Sequence, residues 1–227
     1  MSNIIRPLAA EFLGTASFVF IGAGAVVVDA ATGGELGLLG VALAHALAFA
    51  VMVTATMNVS GGHLNPAVTF GVWLARKIDG KLAVLYVLTQ LIAAVVAVLL
   101  VRYLLPGLAG EVVGYGVPRV SGVVTGAQAV GIEALLTLFL VSAVFGTAVS
   151  KDAPRVGGFG IGLVLLFDIL VGGPLTGAAM NPARAFGPAL VAWEWTGQLT
   201  YWVGPLLGAL AAGVLWKWMM PPEQQQA

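Results

Sequence analysis

The chain has 227 residues, 59% hydrophobic and only 9% charged, with ten basic against ten acidic side chains. Its mean hydropathy of +1.00 is far above what a soluble domain needs to fill one core, so the composition belongs in lipid. Zero net charge without a basic run argues against a nucleic-acid partner, and the absence of cysteine removes disulfides, thiolate metal sites and thiol nucleophiles together.

In chain order, the sequence predicts an all-α membrane protein with six spans. They run from Pro7 to Val28, Leu38 to Val59, Lys81 to Leu104, Ala127 to Val149, Val156 to Gly173 and Leu199 to Met219, each close to the roughly 20 apolar residues a bilayer requires. The first reads as a span and not a signal peptide, because its apolar run is long and contains Glu11. Asn65 to Ala75 and Asn181 to Ala192 are too short to cross at about 1.5 Å per residue, which predicts two re-entrant half-helices. Arg6, Arg76, Lys77, Lys81, Lys151, Arg155 and Lys217 fall on the side of the termini, with Arg102, Arg119 and Arg184 opposite, so both termini are expected in the cytoplasm. The Gln-rich tail in 220–227 is expected to be disordered. Short termini without a targeting segment point to a prokaryotic plasma (inner) membrane.

The chain repeats itself. Ser60-Gly61-Gly62-His63-Leu64-Asn65-Pro66-Ala67 returns 116 residues later as Thr176-Gly177-Ala178-Ala179-Met180-Asn181-Pro182-Ala183, and Glu11 with Thr15 is echoed by Glu133 with Thr137. One channel domain over 1–227 thus divides into a first repeat, 1–110, and a second, 111–219. Three spans per repeat is an odd number, so the halves enter the membrane from opposite sides and the half-helices meet tip to tip.

In each Asn-Pro-Ala, Asn65 or Asn181 is an N-cap, and Pro66 or Pro182 opens the helix where its missing N–H costs nothing. A helix N-terminus at mid-membrane presents unsatisfied N–H groups and about half a positive charge, tolerable only against protein or water. The approach chains, Gly61, Gly62, His63, Leu64 and Gly177, Ala178, Ala179, Met180, cannot be regular helix. Their carbonyls would find partners by lining a wet pore, with a dry packed connection as the alternative.

The paired motifs, His63-Leu64-Asn65-Pro66-Ala67-Val68-Thr69 and Met180-Asn181-Pro182-Ala183-Arg184, resemble those of the aquaporin family across nearly the whole chain. The resemblance implies the aquaporin fold, usually a homotetramer, with water and small neutral solutes as the permeants and no cofactor. It places the selectivity filter on His45, Ile169, Ala178 and Arg184. That combination, with the run from Gly172 to Leu190, is similar to the tonoplast intrinsic proteins of plants, which often pass ammonia, urea or hydrogen peroxide besides water. Arg184 would hydrogen-bond the permeant and oppose cations. His45, which residue type alone leaves as a packing residue, becomes a filter member. His63 is expected to stabilise its loop with its carbonyl toward the pore. Intramembrane carboxylates suggest a proton path by default, but the family's matching glutamates accept from the re-entrant loops, which makes Glu11 and Glu133 structural. Asp168 departs from the usual Asn; it would either hydrogen-bond His45 and favour imidazolium or accept from a neighbouring loop. Ala185 and Tyr201-Trp202 stand where glycerol facilitators carry Asp and Pro-Leu.

Two His, no Cys and no metal-ligand spacing leave an enzyme little to be built from. The serious rival to a passive channel is a proton-coupled small-solute transporter, which shares inverted repeats and broken helices.

Overall fold

The computed structural model describes residues 4–105, 109–150, 152, 154 and 156–220. Among them are eight α-helices and no strand: α1 Ile5–Ala31, α2 Gly37–Ser60, α3 Pro66–Leu74, α4 Gly80–Leu104, α5 Gly126–Val144, α6 Phe159–Thr176, α7 Pro182–Ala192 and α8 Thr200–Met219. α1, α2, α4, α6, and α5 with its continuation to Val149, are long and apolar enough to cross a membrane. α8 has 20 residues, about 30 Å of helix, and crosses beside α5. The 9-residue α3 and 11-residue α7 are the half-helices.

Two differences from the expected spans matter most. The fifth span does not stop at Gly173: α6 runs through Pro174 to Thr176 and ends where Gly177, left-handed at φ 78°, donates its N–H to Gly173 O. α2 ends the same way on Gly61, φ 90°, with its N–H on Met57 O. This αL cap turns each helix into its re-entrant loop. The fourth span is not one regular helix, since Phe145–Val149 widens into a π turn. Lys151, Arg155 and 221–227, which entered the charge-bias and tail expectations, lie outside the described residues.

The packing is that of a lipid-embedded bundle. Leu13, Leu47, Val84, Leu88, Leu163 and Val214 point outward, whereas Ala42, Ala93, Ala97, Ala183, Ala209 and Ala212 are fully buried. Small residues let backbones close up without a hydrophobic drive between helices. Gly208 brings α8 onto Ala134 O of α5, and Gly187 brings α7 to within 2.7 Å, from its Cβ position, of the Ala94 backbone on α4. α3 packs on α8 and α7 on α4, so each half-helix is gripped by the last helix of the other repeat. Trp193, Trp218 and Tyr103, 75–80% exposed at helix ends, fit the headgroup belts.

Candidate functional site

The two Asn-Pro-Ala turns meet. Asn65 Oδ1 accepts from Ala67 N at 2.8 Å, and Asn181 Oδ1 accepts from Ala183 N at 3.0 Å and Arg184 N at 3.2 Å, so each side chain caps its own half-helix. Each amide also reaches across: Asn65 Nδ2 donates to Met180 O and Asn181 Nδ2 to Leu64 O, both at 2.9 Å. The amides are therefore not wholly free: one N–H of each locks the facing tips and one remains. The carbonyls of Leu64 and Met180 are in turn half committed. No protein donor among the described residues takes the carbonyls of Gly61, Gly62, His63, Gly177, Ala178 or Ala179.

The loops hang from the two buried glutamates. Glu11 accepts from His63 N at 2.9 Å, Leu64 N at 2.7 Å, Ser60 Oγ at 2.7 Å and Gln90 Nε2 at 2.8 Å. Glu133 accepts from Ala179 N at 3.0 Å, Met180 N at 2.7 Å and Thr176 Oγ1 at 2.7 Å. Tyr86 OH donates to Ser60 O and Tyr201 OH to Thr176 O, each at 2.8 Å. Tyr86 and Gln90 escaped the sequence reading, and so did the roles of Ser60, Thr176 and Tyr201 in holding the loops. The repeat spacing was the available signal, because Tyr201 follows Tyr86 by 115 residues, close to the motif's own 116. Thr15 and Thr137, which made the Glu pair look like a duplicated motif, have hydroxyls without a partner among the described residues.

A cavity of about 500 Å³ on the side of the termini is lined by Ser60, Gly61, His63 and Tyr86. Another of about 300 Å³ on the opposite side is lined by His45, Gly116, Arg119, Ile169, Gly177 and Arg184. Three of the four residues that resemblance assigns to the filter thus share one cavity wall. Ala178 lies next to it, buried and left-handed at φ 44°. In the inner cavity His63 Nδ1 donates to Thr69 Oγ1 at 3.1 Å, because that hydroxyl's own proton goes to Asn65 O.

In the outer cavity the imidazole's partners assign its tautomer. His45 Nδ1 sits 2.8 Å from Val41 O, an acceptor only, so Nδ1 carries the proton, and Nε2 accepts from Arg184 Nη2 at 3.3 Å. This is neutral imidazole. Arg184 Nη1 donates to Gly116 O at 2.6 Å, and no carboxylate among the described residues bridges to it. Asp168 satisfies neither sequence alternative: it is 1% exposed, and both its oxygens lack a partner among the described residues. Gly22 is a further residue that the sequence did not reveal. A Cβ there would come within 2.5 Å of the His45 ring, so its hydrogen leaves the space the imidazole fills.

Six crossing helices, two half-helices meeting at their N-termini and cavities approaching that junction from both faces define a membrane channel of inverted-repeat design. The model of the family described as "Major intrinsic protein" matches residues 1–216. The chain is 45% identical over 231 residues to "Probable aquaporin TIP3-2" of Oryza sativa subsp. japonica, covering 97% of this chain and 83% of that one. It is 44% identical over 228 residues to "Aquaporin TIP4-4" of Zea mays, covering 95% and 86%. The aquaglyceroporin from Plasmodium falciparum shares the fold, with a TM-score of 0.84 at 23% identity over 99% of this chain and all of that one. The chain belongs to the major intrinsic protein family, the aquaporins.

Proposed function

We propose that this protein is a passive water channel that excludes protons and other ions, with one pore per monomer. The observation that carries the reading is the pair of polar tips: each of Asn65 and Asn181 keeps one N–H beyond its cross-bond, and flanking them are two rows of loop carbonyls that no protein donor among the described residues takes. Water can trade hydrogen bonds along such a row at low cost, while two half-helix N-termini and the Arg184 charge oppose cations. His45, Ile169, Ala178 and Arg184 form the outer filter in this reading. A neutral His45 and the apolar Ile169 and Ala178 suit small neutral solutes, so ammonia, urea or hydrogen peroxide pass beside water. Glu11 and Glu133 are fully engaged as acceptors, which supports a structural duty and disfavours a proton-coupled transporter.

The finer assignments rest on support of the same kind. Repeat boundaries at 1–110 and 111–219, both termini in the cytoplasm and a homotetramer complete the proposal. The named relatives are plant proteins, and they lend no support to a prokaryotic plasma membrane. In liposomes, ammonia entry should follow only its own gradient, remain unchanged under a protonophore and fall several-fold in His45→Phe. Uptake abolished by the protonophore would instead favour the coupled transporter.

A further inference from the structure

Arg184 is held from two directions. His45 belongs to α2, a rigid helix, but the stronger contact, Gly116 O at 2.6 Å, belongs to the connection between α4 and α5. That segment is held partly by its own turns, Tyr115 N donating to Gly110 O at 2.7 Å and Gly116 N to Val113 O at 3.0 Å. Gly114, Tyr115 and Gly116 are left-handed in succession, at φ 55°, 50° and 86°; the two glycines adopt this freely, but Tyr115 keeps it only where its surroundings hold it.

Contacts beyond the segment add to this. Ser121 N donates to Leu175 O at 2.9 Å, Arg102 lies 5.8 Å over the Tyr115 ring, and Arg119 grips Glu194 with two parallel bonds, Nε to Oε1 at 2.9 Å and Nη2 to Oε2 at 2.8 Å. The last is the one that closes a circuit. Glu194 stands just beyond α7, the half-helix whose first turn carries Arg184, and its own N–H is pinned to Ala189 O at 2.9 Å. The forked pair therefore ties the loop that supplies the carbonyl to the helix that supplies the guanidinium, and Arg119 itself lines the outer cavity.

We propose that the Arg119–Glu194 pair is a positioning clasp that fixes the aperture of the outer constriction and thereby its solute selectivity. The inference rests on the reading of Arg184 and its neighbours as the filter. With the clasp open, Gly116 O leaves Arg184, the guanidinium gains freedom, and the opening widens for solutes larger than water. Water itself, already small enough, gains little.

The test is the ratio of urea to water permeability of the full-length protein in liposomes, which a merely structural loss of active channels would not move. Glu194→Gln and Arg119→Gln should each raise the ratio on the order of two- to fivefold, the range an exposed ion pair can impose. Arg119→Lys, which keeps the charge but not the fork, should fall between. The reversed pair, Arg119→Glu with Glu194→Arg, should bring the ratio back toward wild type. Single variants with the wild-type ratio, or a reversed pair as altered as the singles, would overturn the clasp. Loss of water flux in the wild type would strike the channel reading beneath it and is separately visible.

Discussion

Glu133 and Asp168 are both carboxylates buried to 1% exposure or less, yet one is fully engaged and the other has no partner among the described residues. Glu133 offers its oxygens to two loop N–H groups and a hydroxyl. Turning it to Gln sets an NH₂ against those donors, and each buried donor left unmet costs about 1–3 kcal/mol. Glu133→Gln should therefore lower the thermal midpoint in detergent by several degrees, whereas Asp168→Asn, which abandons no hydrogen bond, should leave it level or higher. A larger loss for Asp168→Asn would mean that its oxygens hold something essential. Duplication made Glu11 and Glu133 legible in the sequence, and Asp168 stayed ambiguous because composition does not reveal which donors face a carboxyl. The clasp carries a pH signature. Its Arg119 hydrogen bonds hold Glu194 below its ordinary 4.5, with Arg102 and Glu111 the other charges around the same loop. A depressed carboxylate contributes stability above its ordinary value and loses it as pH falls through the lowered one. The urea-to-water ratio should thus be flat from pH 8 to about 5 and rise only in stronger acid; a rise near pH 6.5 would contradict this and implicate histidine.

At the scale of elements, contact distance is set by glycine. Gly208 meets the Ala134 carbonyl directly and also lies within 2.9 Å, from its Cβ position, of Leu138 N, both backbone atoms that cannot step aside. Gly131, on the same helix as Ala134, has nothing within 4 Å. Gly208→Ala should separate α5 from α8 and sharply reduce folded yield, while Gly131→Ala is tolerated; equal yields would refute backbone contact as the organising feature of this pair. Hydropathy located the spans to within a few residues, but it could not see that Pro174 is carried inside α6, because the αL cap at Gly177 and not the proline ends that helix. The half-helices were legible from Asn-Pro and shortness alone. Gly22 was not: its role is the room it leaves for His45, and no local pattern encodes the shape of a side chain on the neighbouring helix.

At the scale of the whole molecule, the repeat explains the architecture, and its imperfections mark the two sides. Tyr86 and Tyr201 tether equivalent carbonyls, but Gln90, which supports Glu11, is answered 115 residues later by Pro205, and only the second loop continues into an arginine. In the proposed reading, the side bearing Arg184, His45 and the clasp is the selective one. The central claim, that facing half-helix tips make a water file, is tested most directly by stopped-flow osmotic shrinkage of liposomes holding the purified protein, with proton leak recorded alongside. Shrinkage much faster than in empty liposomes, with low activation energy and no added proton conductance in the wild type, and a proton leak appearing in Arg184→Val, is the result expected. Shrinkage no faster than in empty liposomes, from protein shown to be correctly inserted, would contradict it.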